Sequence, residues 1–210
     1  MILDFLLGNQ IKKINAKLDE FLVEIEADKM RAIKLEKELE EAKREREKYK
    51  NLVVTIGNTI PDLMWCKDLE GKYIYVNPEI CRVLFYNLPI EYIIGKTDFE
   101  ITKKCKKIVG DENHTFGEIC KNSDLIVLEN MKKQKFLEYG KVDGKDIYLE
   151  VHKAPVFNYK NECFGTCGTG RDITEWYLGL QSAINNCEKK SCAERKDILI
   201  NELNKYKFEV

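Results

Sequence analysis

Between residues 9 and 60 the apolar positions follow a heptad. With Ile11 at position a, the a series is Ile11, Leu18, Ile25, Ala32, Leu39, Arg46, Val53 and Ile60. The d series is Ile14, Phe21, Asp28, Leu35, Ala42, Tyr49 and Ile56. Only Asp28 and Arg46 break the seam, and charged residues such as Lys37, Glu38, Glu40 and Glu41 flank it. No Pro interrupts the stretch, and its interior glycine, Gly57, lies near the end. This pattern predicts one long helix that pairs as a coiled coil, most simply in a parallel homodimer. The apolar run Ile2, Leu3, Phe5, Leu6 and Leu7 is expected to dock on the dimer partner rather than on a membrane surface.

Pro61-Asp62 stops the helical pattern, and short runs with a period of two take over. Leu63–Lys67 and Tyr73–Val76 read as strands around an Asp68-Leu69-Glu70-Gly71 turn. Asn77-Pro78-Glu79 opens a short helix, with Asn77 as N-cap and Pro78 at the first helical position. Residues 88–110 read as short turns around Pro89, Gly95 and Gly110. Residues 111–131 read as a longer helix with Phe116, Ile119, Leu125 and Leu128 inward. Three strands follow, Lys135–Tyr139, Asp146–Lys153 and Glu162–Thr169, with Asp143-Gly144 and Asn158–Asn161 as turns. Helix returns after Thr174, with Trp176, Leu180 and Ile184 in line. Ser191 with Glu194 starts a last helix whose apolar face is Leu199, Leu203 and Tyr206.

Composition narrows the functional classes. The 210 residues are 34% charged, which agrees with a long solvated helix, and 44% apolar, enough for one ordinary domain with extensions. With 35 basic and 36 acidic residues the net charge is -1, which makes no electrostatic case for nucleic acid or an anionic membrane as partner. No apolar run approaches the ~20 residues of a membrane span, and no secretory leader is recognisable. A cytoplasmic protein is expected, with its 8 cysteines reduced.

Candidate chemistry is sparse. Cys163 and Cys167, like Cys187 and Cys192, lack a matching histidine pair, so they read as thiols rather than zinc ligands, with Cys163 and Cys167 as small inward residues of a strand. No phosphate loop of the G-x-x-x-x-G-K-[ST] type appears. Gly165-x-x-Gly168-x-Gly170 ends in Arg171-Asp172-Ile173-Thr174 instead of opening a βαβ unit. No histidine follows Trp176, so a phosphoacceptor helix is not expected there. The chain reads as a non-enzyme. Asp172 and Thr174 sit where a strand hands over to a helix, and either oxygen can cap the first helical amides.

Four pieces in order carry a resemblance to the PAS sensor family, from about Asn58 to Trp176. They are Pro61-Asp62-Leu63-Met64-Trp65 with Lys67-Asp68 and Gly71; Tyr75-Val76-Asn77-Pro78-Glu79; Ile94-Gly95-Lys96-Thr97-Asp98-Phe99; and Gly165 to Gly170 followed by Arg171-Asp172-Ile173-Thr174. Lys153-Ala154-Pro155-Val156 falls between the last strands. The resemblance implies an α+β fold: a five-stranded antiparallel sheet with helices on one face. Here a coiled-coil helix precedes it and C-terminal helices follow. Residues 1–57 are then the coiled coil, 58–174 the PAS domain and 175–210 a helical extension.

The resemblance further implies a sensory module that binds a small molecule between sheet and helices and signals through its terminal helices as a dimer. Phe116, Ile119, Leu149, Val151 and Phe164 are the expected ligand contacts. Arg171, Asp172 and Thr174 are the expected coupling residues, Arg171 through a nearby carboxylate. A downstream signalling protein is expected to receive the output. The alternatives are a ligand-free adaptor packed with its own bulk, such as Phe116, Phe136, Tyr148 and Phe164, or the detached input of a histidine kinase or diguanylate cyclase system. A haem-binding member needs an axial histidine, and His114 lies near the family's haem-ligand region. His152 alternates with Val151 and faces solvent if Leu149 and Val151 point inward. Surface histidines are the preferred assignment for both, and no cofactor or metal is identified. Cys81-Arg82 follows Ile80 rather than Asn, which rules out the reactive cysteine motif of flavin photosensors.

Overall fold

A computed structural model describes residues 2–110, 113–185, 197–198 and 200–201. The chain divides into two compact units, one through Val53 and one from Val54 onward. Helix α1 covers Ile2–Thr59. It starts earlier than the heptad alone suggests, because Gly8 is carried inside it. In the first unit the seam residues Ile11, Ile14, Leu18, Phe21, Ile25, Leu35 and Leu39 are all exposed in the single chain. The expected last helix over 191–206 lies outside the described residues, apart from helical residues 197–198 and 200–201. Cys187 and Cys192 lie outside them too. Among the described residues no helix is long and apolar enough to cross a membrane.

The second unit is built on five antiparallel strands in the order β2-β1-β5-β4-β3. They are β1 Leu63–Asp68, β2 Tyr73–Val76, β3 Gln134–Val142, β4 Lys145–Phe157 and β5 Cys163–Asp172. The Asp143-Gly144 hairpin turn has positive φ at both residues, as its sequence requires. Between β2 and β3 lie α2 (Pro78–Leu84), a 3-10 turn (Ile90–Tyr92), α3 (Asp98–Val109) and α4 (Phe116–Asn130). The core they form with the sheet includes Leu63, Trp65, Phe85, Phe116, Phe136, Leu149 and Val151. Gly168 belongs to this face by necessity: a Cβ there would stand 2.6 Å from Cε2 of Trp65.

Helix α3 corrects the reading of residues 88–110 as turns. The Thr97 hydroxyl accepts from Glu100 N, and the Glu100 carboxylate accepts from Thr97 N at 2.9 Å, a complete capping box. Gly110 closes the helix at φ 76. The short helix after Asn77 forms as expected, with Asn77 accepting from Ile80 N at 3.3 Å.

Candidate ligand-binding cavity

The strand alternation that buries apolar residues also buries three charged ones. On β1 the inward series is Leu63, Trp65, Lys67; on β4 it is Leu149, Val151, Lys153; on β3 it includes Phe136 and Glu138. Facing them, α3 contributes Asp98 at its first turn, and α4 contributes Cys120, Ser123 and Asp124. Every one of these side chains is buried.

Lys67 Nζ donates to Asp98 Oδ2 at 2.5 Å and to Asp124 Oδ2 at 2.6 Å. The Tyr73 hydroxyl donates to Asp98 Oδ1 at 2.5 Å. Lys153 Nζ stands 2.8 Å from Asp124 Oδ1 and 3.0 Å from Glu138 Oε1, and donates to Ser123 Oγ at 2.7 Å. Ser123 donates to Glu138 Oε1 at 2.5 Å, and the Cys120 thiol to Glu138 Oε2 at 3.6 Å. Three carboxyl groups thus meet two ammonium groups in a position where unpaired charge is costly.

The electrostatics follow from this pairing. Burial works against the Lys67 ammonium, but Asp98 and Asp124 outweigh it and hold its pKa above the ordinary lysine value. Lys153 is likewise raised, with Glu138 and Asp124 overcoming burial. Burial pushes the Asp124 carboxyl up, yet Lys153 and Lys67 win and hold it below the ordinary value. Burial, then Glu138, pushes the Cys120 thiol well up. Both lysines and Asp124 are therefore charged at neutral pH. Lys67 ties β1 to α3 and α4, and Lys153 ties β4 to α4.

A cavity of about 430 Å³ opens over this cluster. Asp98 and Asp124 form its polar floor, with Thr166 from β5 alongside, and Phe99, Leu125 and Leu128 give an apolar wall. Asp68 and Glu70 of the β1–β2 turn add two more acids. Among the described lining residues, Lys121 is the one cation against four carboxylates. The volume is at the small end of ligand pockets.

The expected ligand contacts are placed differently. Phe116, Leu149 and Val151 are core residues at 1%, 1% and 0% exposure, and Ile119 is half-buried on α4. Phe164 is 38% exposed, which corrects its inward assignment. By alternation it has the same parity as Thr166 and Gly168 on β5, but it falls at the irregularity where Val156 pairs with Gly165 and Phe157 with Cys163. Tyr148 falls between inward Ile147 and Leu149 and stacks on Tyr177, beyond the end of β5. The described cavity lining includes none of the five expected contacts. Cys167 is half-buried and pairs across the sheet with Cys66, next to buried Thr166 and so on the opposite face, not inward.

His114 is 3% exposed, so it is no surface histidine. Its Nε2 lies 2.8 Å from Leu84 O, and its ring sits among Phe85, Tyr86 and Phe116. His152 is partly exposed and reaches Glu150 at 3.3 Å. Among the described residues no three His, Cys, Asp or Glu side chains converge as a metal site.

The expected coupling residues form one junction. Asp172 Oδ1 accepts from Thr174 N at 2.9 Å and from the Thr174 hydroxyl at 2.6 Å. Thr174 Oγ1 in turn accepts from Tyr148 N on β4 at 2.9 Å. Arg171 meets Asp62 with two parallel hydrogen bonds of 3.1 and 3.0 Å. Exit helix α5 (Thr174–Asn185) docks through Tyr177, whose ring lies 4.2 Å from that of Tyr148. Trp176, expected on the apolar line, is 43% exposed. On the entry side, Asn77 Nδ2 donates to Gly57 O at 3.1 Å and to Asp62 O at 2.9 Å. A Cβ at Gly57 would overlap the Tyr75 hydroxyl, so glycine permits this close approach.

A family model described as the PAS fold matches residues 58–177. No curated protein sequence matches the chain at a significant level. Among solved structures, the VqmA–ligand–DNA complex of Vibrio cholera is 24% identical, covering 58% of this chain and 50% of its own, with a TM-score of 0.46. The phage VqmA–DPO complex is 17% identical over 78% of this chain and 70% of its own, at 0.49. The PAS domain of BvgS from Bordetella pertussis is 15% identical over 68% and 98%, at 0.44. The chain thus spans half the length of the Vibrio VqmA chain that it matches.

Proposed function

The chain belongs to the PAS-fold family through residues 58–177, and from that premise we propose that it is a sensory module, not itself an enzyme. It takes a small ligand in the cavity above Lys67 and passes its occupancy to the helices at both ends of the domain. The observation that carries this reading is the cavity floor. Asp98 and Asp124 face the cavity and also hold Lys67 on β1, so one ligand group can act on both helices and the sheet. The lining suits a small molecule with a cationic or hydrogen-bond-donating group toward the carboxylates and an apolar body against Phe99, Leu125 and Leu128. A ligand shifts the module between states only by its different affinity for each.

The output route on this reading runs from Lys67 along β1 to Asp62, and across the Arg171–Asp62 pair to the Asp172–Thr174 junction and α5. The exposed seam of α1 pairs two copies as a coiled coil in the cytoplasm. Residues 1–57 are then the dimerising element, 58–174 the sensor and 175–210 the output extension toward a downstream protein. A second reading, a ligand-free adaptor, is favoured by the buried rings of Phe116 and Phe136, which fill the space between α4 and the sheet. A small-molecule thermal-shift screen separates the two. Hits that stabilise the wild type but not the cavity-filled Leu125→Trp variant support the sensor. A screen whose hits stabilise both equally, or that yields none, supports the adaptor.

A further inference from the structure

We propose that the cleft between α3 and the N-terminus of α4 is a second binding site, for a small oxyanion of the phosphate or carboxylate kind. The site is independent of the cavity over Lys67. The cleft measures about 410 Å³, and its lining includes Thr102, Lys103, Lys106, His114, Thr115 and Gly117. Four features converge there.

The first is the start of α4. Thr115 precedes it without a side-chain capping bond, because its hydroxyl accepts from Lys141 N at 2.9 Å on β3. The first-turn amides of this 15-residue helix therefore keep their positive end without a side-chain cap from Thr115. The second is Thr102, which is 7% exposed and whose buried Oγ1 has no hydrogen-bond partner among the described residues. It points at that first turn: a Cβ on Gly117 would stand 3.0 Å from it. A buried hydroxyl facing a helix start is rare without a partner to satisfy it. The third is charge, since Lys103 and Lys106 of α3 present two cations at the cleft. The fourth is Gly117 itself, whose missing Cβ lets α3 approach the start of α4 closely, since a Cβ there would stand 3.4 Å from Phe99 Cα. Amide N–H groups, a hydroxyl and two ammonium groups are donors only or donors here, and an oxyanion supplies the matching acceptors.

Phe99 and Gly117 border both this cleft and the cavity over Lys67, but the two linings are otherwise distinct. The test is a titration of the full ¹⁵N-labelled chain with sodium phosphate, and separately with sodium succinate, at ionic strength held constant with sodium chloride. Saturable amide shifts at Phe116 and Gly117 are expected with at least one of the two. Saturation by phosphate alone assigns a phosphoryl group, by succinate alone a carboxylate, and by both a general oxyanion site. Lys103→Gln with Lys106→Gln weakens binding by about tenfold or more. Thr102→Val weakens it too, while Thr102→Ser retains it. Lys103 is exposed and Lys106 half-buried, and neither is a core residue, so the double variant is expected to keep the fold. Shifts that fail to saturate with either anion, or that saturate alike in the double lysine variant, overturn the proposal.

Discussion

Replacing Lys67 by Met gives the sharpest test of the buried ion cluster. The variant keeps the length and apolar stem of the side chain and removes only the ammonium. Lys67 Nζ is within 2.6 Å of two carboxylates, and its side chain is 1% exposed. Without it, among the described residues, Asp98 keeps the Tyr73 hydroxyl and Asp124 keeps Lys153. Breaking a buried pair in this way costs about 3–5 kcal/mol. With a urea slope of about 2 kcal/mol per M, the unfolding midpoint falls by about 1.5–2.5 M. The assay is urea unfolding of the full chain at fixed protein concentration, followed by the near-UV signal of Trp65, which lies on the same face. Adding Asp98→Asn and Asp124→Asn to Lys67→Met removes the stranded charges and recovers much of the loss. A single-variant loss below about 1 kcal/mol would show that water or a proton already compensates these carboxylates, and the cluster would not be an ionic staple.

Three further outcomes follow from the same geometry. Asp124 is held below its ordinary pKa of 3.8, so its contribution is present above that value and is lost as pH falls through the folded one. Lys67 and Lys153 are raised above 10.5, so theirs is present below it and lost only as pH rises through the folded values. The stability difference between the wild type and Asp124→Asn in urea unfolding is accordingly level from about pH 5 to 9 and shrinks on further acidification; a difference already shrinking between pH 7 and 5 contradicts the assignment. Asp172→Ala removes the acceptor for Thr174 and costs about 1 kcal/mol, read as about fivefold faster amide exchange in the first turn of α5; unchanged exchange there removes Asp172 from the junction. Deleting residues 1–53 keeps Gly57 against Asn77 and yields a monomer by sedimentation equilibrium, whereas a full dimer assigns association to the second unit.

Most of the scaffold is legible in the sequence because its signals are local. Asn77-Pro78 caps α2, Asp143-Gly144 turns a hairpin, and the heptad from Ile11 writes out α1. Helix α3 was equally legible in Thr97-x-x-Glu100 and Gly110, but its lysine-rich interior conceals an apolar face made of Ile101 and Cys105. The candidate site is different in kind. Lys67, Glu138 and Lys153 occupy inward places in strand alternation, where the usual expectation of solvent-facing charge points the wrong way. Their partners lie far along the chain: Asp98 is 31 residues from Lys67, and Asp124 is 57. No periodicity links such positions, although a lysine continuing the series Leu63, Trp65 and another continuing Leu149, Val151 were the available clue. Phe164 shows the converse, a large apolar side chain left exposed where the β4–β5 register shifts.

On the proposed function a small molecule occupies the cavity over Lys67, Asp98 and Asp124. The most direct measurement is a methyl-labelled NMR titration of the full chain with a thermal-shift hit that carries a cationic or donor group. Saturable shifts centred on Leu69, Leu125 and Leu128 are expected, with about tenfold or more weaker binding in Asp124→Asn. Binding that leaves these methyls unmoved, or that is indifferent to Asp124→Asn, would contradict it.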